Sequence, residues 1–573
     1  MHDLVIRNGK VVDGSGGPAR QADIAIDGER ITIVGEVADA GRREIDAAGL
    51  VVTPGWVDIH THYDGQATWD PDVTPSSWHG VTTIVMGNCG VGFAPADPAP
   101  DRRQWLIQLM EGVEDIPGTA LDEGMTWNWE SFPDYLDELE RLPRVLDVSA
   151  LVPHGPVRAY VMGERGGRNA EATPDEIAQM AALVREAIEA GAVGFSTTRT
   201  LLHRAKDGEL AAGTTASADE LIGIGMAMGD AGAGVFEVAS DMFDAEGEFA
   251  WMTQISQETG RPVTFGCLQD DLRPEHWRHL IELSEAANAA GAQLVPQVAG
   301  RPACLLLGWE STAHPFMFHP AYQAVGKLPF AERIAELRKP EVRSAILGKE
   351  HEIVGLGAFL SNFHKLYVLG DPPEYEPDPS RSVAAIAEQQ GRPAAEVCYD
   401  LMLEDDGHAL LYVPILGYTH GDFRALREML VQPGTVLGLG DGGAHCGILC
   451  DASLPTYMLS HWARDRSRGE RLSLEQAVRL QTRQTAELYG FDDRGLLAPG
   501  YLADVNVIDF DALAIDAPEM VYDLPAGGRR LIQRARGYVA TVKRGVVVRE
   551  NDQATGERPG RLVRGPQPAP SVA

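Results

Sequence analysis

The sequence predicts an α/β protein built on a (β/α)8 barrel, with a small β domain made from the two ends of the chain. Three observations predict this fold. Short apolar strands alternate with helical stretches through the middle of the chain, and both chain ends alternate apolar and polar residues with a period of two. The composition is that of a globular protein, since 44% of the 573 residues are hydrophobic and 23% are charged, which excludes a disordered or fibrous protein.

The individual elements follow from these patterns. The first fifty residues contain short strands joined by Asn-Gly, Asp-Gly and Gly-rich turns, and residues 501–513 and 537–550 return to the same pattern. Because chain termini often lie close together, the two ends are expected to pair. The eight barrel strands are predicted at residues 51–60, 82–88, 148–155, 192–199, 234–240, 261–269, 292–300 and 435–443. Helices are predicted between them, for example at 174–191 and 274–291, each ending at a glycine.

These patterns divide the chain into three parts. The β domain takes residues 1–54 and 495–552, the barrel takes residues 55–494, and a tail rich in proline and glycine takes residues 553–573. Two insertions, at about 96–145 and 305–430, are rich in aromatic residues, proline and charge. In a barrel, such insertions are expected to cover the face at the carboxyl ends of the strands, where the active site lies.

The charge balance limits the partners. The chain has 49 Lys and Arg residues against 83 Asp and Glu residues, a formal net charge of −34, which repels nucleic acids and anionic membranes. The sequence offers neither a long apolar run for a membrane helix nor a signal peptide, and its six cysteines do not form a disulfide framework. We therefore expect a cytoplasmic protein that acts on a small molecule. Homo-oligomerisation stays open.

The sharpest local signal is the segment Asp58-Ile59-His60-Thr61-His62, at the end of the first predicted barrel strand. Residues two apart on a strand point to the same side, so His60 and His62 are expected to project together. Two neutral imidazoles suit zinc or a similar metal. A packed or surface pair of histidines is the alternative, but the position at the active face of a barrel favours the metal.

Two other strand ends carry residues that fit the same chemistry. Asp441 lies among glycines after the last predicted strand, where it can approach a metal or accept a proton, although an ordinary Asp-Gly turn is the alternative. Cys89, in Gly87-Asn88-Cys89-Gly90 after the second strand, could ligate a metal as a thiolate, with a buried inert cysteine as the alternative.

These residues resemble the amidohydrolase superfamily, whose members are metal-dependent hydrolases on a TIM-like barrel with a β-sandwich formed by both chain termini. The segment HGVTTIVMGNCGVGFAP (79–95) resembles the N-acyl-D-amino-acid deacylases, or D-aminoacylases, in particular, and so do residues 154–163, 472–509 and 554–565. The resemblance therefore covers nearly the whole chain. It implies hydrolysis of a linear amide, most simply of an N-acyl-D-amino acid, with Cys89 as a zinc ligand.

The sequence departs from that family at part of the metal site. The family has one histidine ligand at the end of strand five and another at the end of strand six, whereas residues 234–240 and 263–269 contain no histidine here. Strand four also has no lysine that could be carbamylated. Without these groups, a second metal ion would lack most of its ligands.

Two interpretations of the metal site stay open. The favoured one is a single ion, zinc or another divalent metal, held by His60, His62 and Asp441, with Cys89 bound or nearby. A single ion can polarise a carbonyl and activate water. The other interpretation recruits Glu237 or Cys267 as a substitute ligand.

Asp441 is the predicted general base and acid, which takes a proton from water and returns it to the leaving nitrogen. A substrate carboxylate would need a cation, and Arg199 after strand four and Arg301 after strand seven are the candidates from their position. His154 and His445 are further candidates for substrate binding, while His203 is expected in a loop or capping role.

Two rival functions stay open. One is hydrolysis of another C–N bond, in a cyclic amide, a dipeptide or an aryl amide. The other is a catalytically inactive scaffold, against which the four retained metal-site residues argue. Metal content would separate the scaffold from the enzymes.

Overall fold

The computed structural model describes residues 1–348 and 356–571. Its strands are β1 (His2–Val11), β2 (Arg20–Asp27), β3 (Arg30–Gly35), β4 (Gly41–Asp46), β5 (Val51–Pro54), β6 (Trp56–Asp58), β7 (Val81–Met86), β8 (Asp147–Ala150), β9 (Val152–Pro153), β10 (Gly194–Arg199), β11 (Val235–Ser240), β12 (Val263–Gly266), β13 (Leu294–Val298), β14 (Ala303–Leu307), β15 (Tyr367–Val368), β16 (Leu411–Leu416), β17 (Val436–Leu437), β18 (Val505–Ile508), β19 (Ala514–Ile515), β20 (Glu519–Leu524), β21 (Gly528–Ile532), β22 (Ala535–Arg536), β23 (Tyr538–Lys543), β24 (Val546–Glu550) and β25 (Gln553–Ala554).

The helices of the described chain are α1 (Pro100–Glu114), α2 (Gly118–Gly124), α3 (Phe132–Arg141), α4 (His154–Met162), α5 (Glu164–Gly167), α6 (Pro174–Glu189), α7 (Ala218–Ala231), α8 (Ala245–Thr259), α9 (His276–Ala289), α10 (Pro320–Gln323), α11 (Phe330–Leu337), α12 (Pro340–Ile346), α13 (Leu356–Leu360), α14 (Val383–Gln390), α15 (Ala394–Met402), α16 (Arg424–Val431), α17 (Leu454–Tyr457), α18 (Leu474–Gln481) and α19 (Arg483–Leu488). The prediction of a mixed α/β fold is confirmed.

Strands from both ends of the chain form one sheet of nine. Its order is β25-β24-β23-β18-β5-β1-β2-β3, with β4 paired to β1, and the antiparallel pair β5–β18 joins the two chain ends. The apolar residues of these alternating strands are buried together, among them Ile6, Ile26, Val505 and Val542. The pairing of the two ends, which the period-two pattern predicted, is therefore present.

Parallel strands form the centre of the molecule in two sheets. One has the order β6-β7-β8 and the other β9-β10-β11-β12-β13-β17. The backbones of Thr61 and Gly442 form a parallel bridge between the segments that follow β6 and β17. All carboxyl ends within a parallel sheet lie at one edge, so the segments that follow these strands can meet there.

Each of the eight predicted barrel strands contains an observed strand, with three differences in extent. The segment 51–60 divides at Gly55, where a Cβ atom would lie 2.3 Å from the side chain of Thr82, and the chain passes from the terminal sheet to the parallel sheet. The segment 148–155 divides between β8 and β9. In the segment 435–443 only β17 is a strand, because Leu439 and Asp441 take left-handed conformations with φ of 57° and 40°.

Both predicted insertions fold into defined structure. The first contains α1, α2 and α3. The second has a hydrophobic core of its own, which includes Trp309, Tyr399, Met402 and Leu411, and its residues 349–355 lie outside the described residues.

The tail that follows β24 runs along the amino-terminal side of the parallel strands. The backbone N–H of Gly560 donates to Arg144, that of Val563 to Val148 and that of Gln567 to Gly490. The described part of the tail is therefore fixed to the rest of the chain by backbone hydrogen bonds.

None of the helices in residues 1–348 and 356–571 is both long and apolar enough to cross a membrane.

Candidate metal centre

His60 and His62 lie directly after β6 and are almost fully buried, with exposed fractions of 2% and 1%. The backbone between them is fixed from two sides, because the Thr61 N–H donates to Val85 and the His62 N–H donates to Gly442. Their rings face the interior with centroids 5.5 Å apart. The structure therefore places both imidazoles together, as expected for residues two apart on an extended segment.

Cys89 enters the same space from the turn after β7. Its left-handed backbone conformation, with φ of 58°, turns the side chain towards the histidines, and its Sγ lies 3.4 Å from His60 Nε2. The backbone N–H of Cys89 donates to the carboxylate of Glu237, on β11, at 2.9 Å. The second strand end thus supplies sulfur beside the two nitrogen atoms.

Asp441 lies beside these residues, on the loop after β17. Its Oδ1 lies 3.4 Å from His60 Nε2 and 3.6 Å from His62 Nε2. The Asp441 side chain keeps 25% of its surface exposed, whereas both histidines are buried. The carboxylate therefore contacts the ligand candidates on one side and reaches solvent on the other.

This donor set fits zinc. The ligand atoms of His60, His62 and Cys89 all lie within 4.8 Å of one another. Zinc bonds of 2.0–2.3 Å in tetrahedral geometry place neighbouring ligand atoms about 3.3 to 3.8 Å apart. The separations of 3.4, 3.4 and 3.6 Å that involve Cys89 Sγ and Asp441 Oδ1 lie in this range.

The electrostatics of the centre also favour a bound cation. Burial lowers the pKa of His60 to about 4, so this imidazole is neutral and free to act as a ligand. Burial acts on His62 in the same direction, but the carboxylates of Glu114 and Asp441 outweigh it and raise the pKa of His62 to about 9. Burial raises the pKa of Asp58 to about 7 and that of Glu237 to about 8. Burial acts on Asp441 in the same direction, but the imidazoles of His62 and His60 outweigh it and lower the pKa of Asp441. A divalent ion would compensate this excess of buried acidic groups.

Glu114, which the sequence did not single out, lies beside the predicted ligands. It ends α1 in the first insertion, it is 1% exposed, and its Oε1 lies 3.3 Å from His62 Nδ1. Its Oε2 lies 3.5 Å from Nε2 of His445, one of the predicted substrate-binding residues. A carboxylate in the last turn of a helix opposes the helix dipole, and this unfavourable position is the sequence signal that could have revealed it.

His203 lies close enough to the centre for the charges there to act on its imidazole. Loss of hydration lowers the pKa of His203 to about 3, and the charges that act on it are those of His445, His62, Asp441 and His60. Its Nδ1 is 3.0 Å from the hydroxyl of Thr198, at the end of β10.

The two predicted substitute ligands have different positions. Glu237 lies against the backbone of Cys89, next to the cluster. Cys267 is buried with its Sγ 3.8 Å from the carbonyl oxygen of Trp277 in α9, and only burial raises the pKa of its thiol, to about 12. The structure does not bring Cys267 to the metal ligands, because the chain after β12 turns this side chain towards a helix.

Both predicted carboxylate-binding arginines are engaged within the protein. Arg199 Nε donates to both carboxylate oxygens of Glu248 at 2.6 and 2.8 Å. Arg301 is 2% exposed, pairs with Asp451 and lies over the ring of Tyr375 at 4.2 Å. Both arginines therefore have partners within the protein, and their contact with a substrate carboxylate stays a prediction.

His154 also has hydrogen-bond partners within the protein. Both of its ring nitrogens are used, at 2.8 Å from Thr197 Oγ1 and 2.8 Å from Glu220 Oε1, and the residue is completely buried. Substrate binding at His154 stays a prediction, although both ring nitrogens already have partners, while His445 lies beside Glu114 at the centre.

Comparisons with known proteins identify the family of this chain. Residues 43–549 match the model of the Amidohydrolase family. The D-aminoacylase of Alcaligenes xylosoxydans xylosoxydans is 27% identical over 572 residues, which cover 98% of this chain and 97% of that protein. A D-aminoacylase structure, described as having a binuclear metal centre with one-metal activation and second-metal attenuation, matches with 25% identity and a TM-score of 0.65 over 98% of this chain and all of that one.

A second solved structure shares the fold. It is the N-acyl-D-glutamate deacylase of Bordetella bronchiseptica in complex with zinc and a phosphonate inhibitor, with 23% identity and a TM-score of 0.65 over 98% of this chain and all of that chain. The chain belongs to the Amidohydrolase family, and it is a hydrolase that acts on carbon–nitrogen bonds other than peptide bonds.

Proposed function

We propose that this enzyme hydrolyses a linear amide, with N-acyl-D-amino acids as the first substrate class, at a single zinc ion held by His60, His62 and Cys89, with Asp441 beside the ion. The observation that carries the proposal is the convergence of four side chains from three separate strand ends: the ligand atoms of His60, His62 and Cys89 lie within 4.8 Å of one another, and Asp441 Oδ1 lies 3.4 and 3.6 Å from Nε2 of the two histidines. The similarity to D-aminoacylase over nearly the full length supports the substrate class. The one-metal activation described for a D-aminoacylase supports a single ion.

Zinc, when bound, supplies a Lewis acid that polarises the amide carbonyl and lowers the pKa of water. The protein supplies the proton transfer. Asp441 reaches solvent beside the ligand cluster, so its carboxylate can take a proton from the attacking water and return it to the leaving nitrogen. The buried walls formed by His60 and His62 exclude bulk water from the other side.

The variant Asp441→Asn tests this role. Asparagine keeps an oxygen atom near His60 and His62 but cannot accept a proton, so we expect turnover to fall by about 10²- to 10⁴-fold while bound zinc stays near one ion per chain. Turnover of N-acyl-D-amino acids and metal content by atomic absorption are the measurements. The matched control is Asp175→Asn, in the exposed first turn of α6, which should change neither. Near-normal turnover of Asp441→Asn would show that another group carries the proton.

A second candidate function is hydrolysis of an amide without a carboxylate, such as a cyclic or aryl amide. The specific observation in its favour is that Arg199 and Arg301 are bound to Glu248 and Asp451. Rates on N-acyl-D-amino acids, their L-enantiomers and neutral or cyclic amides separate the two candidates. A preference for neutral amides would favour the second.

We also propose that the two parallel sheets are parts of one (β/α)8 barrel spanning residues 55–494, and that residues 1–54 and 495–552 form a β-sandwich domain followed by a tail. Support comes from the order of the parallel strands, the bridge between Thr61 and Gly442, and the similarity to D-aminoacylase structures at a TM-score of 0.65.

A further inference from the structure

The first insertion delivers one buried carboxylate to the metal centre. Glu114 is the last residue of α1, so its position depends on the whole helix rather than on a strand end. Its two oxygen atoms face different histidines, with Oε1 3.3 Å from His62 Nδ1 and Oε2 3.5 Å from His445 Nε2. His62 therefore presents Nδ1 to Glu114 and Nε2 to Asp441.

Backbone contacts fix this end of α1 to the loop that carries Asp441. The carbonyl oxygen of Glu114 accepts the N–H of His445. The next residue, Asp115, takes a left-handed conformation with φ of 50°, and its carboxylate accepts the N–H of Gly447 at 3.0 Å. The helix end and the loop 441–447 therefore hold one another in place.

Two buried polar atoms at this contact have no hydrogen-bond partner within the described residues. Among the residues that the structure describes, neither His62 Nδ1 nor Glu114 Oε1 has a hydrogen bond, although both are fully shielded from solvent. A buried polar atom without a hydrogen bond destabilises the folded state by about 1–3 kcal/mol. The two atoms are 3.3 Å apart, so a small adjustment would join them.

We propose that Glu114 is a positioning residue of the metal centre, which accepts a hydrogen bond from His62 Nδ1 so that His62 Nε2 is presented to the metal, and which anchors the loop carrying Asp441 through His445. This inference rests on the proposed metal centre. A ligand histidine whose second nitrogen donates to a carboxylate is fixed in tautomer and orientation, and it becomes a better electron donor to the metal. The insertion would thereby contribute to a centre that lacks the strand-five and strand-six histidines.

The test compares Glu114→Gln with Glu111→Gln. Glutamine keeps the shape of the side chain but removes the negative charge. Glu111 lies three residues earlier on α1 and pairs with Lys206 near the surface, so it controls for an altered helix. The affinity for Zn²⁺ is measured on metal-free protein by competition with a chromogenic chelator. We expect Glu114→Gln to bind Zn²⁺ about 10- to 100-fold more weakly, and Glu111→Gln to bind as the unaltered protein does.

The visible spectrum of the Co²⁺-loaded protein gives a readout that a purely structural role would not move. It should change in Glu114→Gln and return towards that of the unaltered protein in Glu114→Asp, which restores the charge. Zn²⁺ affinity within twofold of the unaltered protein and an unchanged Co²⁺ spectrum in Glu114→Gln would overturn the inference while leaving the proposed function intact. If the unaltered protein binds no Zn²⁺, both the proposed function and the inference about Glu114 are wrong.

A measurement on the unaltered chain covers the case in which the variants do not fold. In the Zn²⁺-loaded protein labelled with ¹⁵N-histidine, we expect His62 to carry its proton on Nδ1, with a strongly downfield resonance from the bond to a carboxylate. A His62 protonated on Nε2 would overturn the inference, because Nδ1 would then face the metal.

Discussion

Two buried clusters of charged side chains lie at opposite ends of the parallel strands, and they are satisfied in different ways. At the amino end of β8, Asp147 is completely buried, and its Oδ2 lies 2.8 Å from Arg494, 2.9 Å from Arg544 and 3.0 Å from Lys543. Asp504 accepts from the same Lys543 at 2.7 Å. Here every acidic group has a cation of the protein as its partner.

The metal centre, at the carboxyl ends of the strands, is built in the opposite way. Among residues 1–348 and 356–571, the carboxylates of Asp441 and Glu114 are opposed by histidines, and Glu237 accepts a backbone N–H. Asp58 Oδ2 and Glu114 Oε1 have no hydrogen bond within the described chain. One cluster is therefore satisfied by cations of the protein, whereas the other holds buried acidic atoms without a hydrogen bond among the described residues, as expected for the proposed zinc site.

Breaking the complete cluster should have the largest effect on stability. Asp147→Asn leaves Arg494, Arg544 and Lys543 buried with too little negative charge. Removing one partner of a buried ion pair typically costs about 3–5 kcal/mol. We therefore expect the free energy of unfolding to fall by about that amount, measured as a shift of the urea midpoint at pH 7.

The control and the pH dependence make this prediction specific. Asp137→Asn removes a pair with Arg564 that is largely exposed, and it should cost about 1 kcal/mol or less. Burial acts to raise the pKa of Asp147, but Lys543, Arg494 and Arg544 lower it below its ordinary value of 3.8. The contribution of Asp147 to the free energy of unfolding is therefore present above about pH 4 and is lost as the pH falls further. A difference between the variants that persists unchanged well below pH 4 would contradict the ion-pair explanation.

Binding of Zn²⁺ at the metal centre should have the next largest effect on stability. A ligand at 100 times its dissociation constant stabilises the folded state by about 2.7 kcal/mol. We expect Zn²⁺ at that level to raise the melting temperature, and a chelator to reverse the rise. Because the two clusters share no residue, Asp147→Asn should show the same gain on adding Zn²⁺. A gain that disappears in Asp147→Asn would mean that the two regions are coupled.

The part of the fold that depends on local pattern could be predicted from the sequence. Alternating apolar strands and helices that end at glycine predicted eight segments, each of which contains a parallel strand, and period-two spacing predicted that His60 and His62 lie together. The passage between sheets at Gly55 could not be predicted, because it depends on the close approach of Thr82. The end of β17 likewise depends on left-handed conformations that sequence alone does not specify at Leu439 and Asp441.

In the candidate site too, residues set by local pattern were predictable and residues set by distant partners were not. Residues at strand ends were predictable, since strand ends converge in parallel sheets. The ion pairs of the two arginines were not predictable, because they depend on partners far along the chain. Glu248 lies 49 residues from Arg199, and Asp451 lies 150 residues from Arg301. Glu114 was missed for a related reason, since its position is set by the packing of an insertion helix.

The smallest expected effect concerns Arg199, and it separates a structural ion pair from a substrate contact. Arg199→Gln removes two hydrogen bonds to Glu248 and one to the carbonyl oxygen of Ala216, so we expect a loss of stability of about 1 kcal/mol. If Arg199 is only structural, KM for an N-acyl-D-amino acid and for its carboxamide counterpart should change by the same factor.

A hydrogen bond to a charged group contributes about 1.5–3 kcal/mol, so a lost contact between Arg199 and the substrate would raise KM for the carboxylate alone by about 10- to 150-fold. Glu248→Gln is the matched control, because it breaks the same pair yet leaves the guanidinium in place, and a selective change in Arg199→Gln alone would restore this arginine to the substrate site.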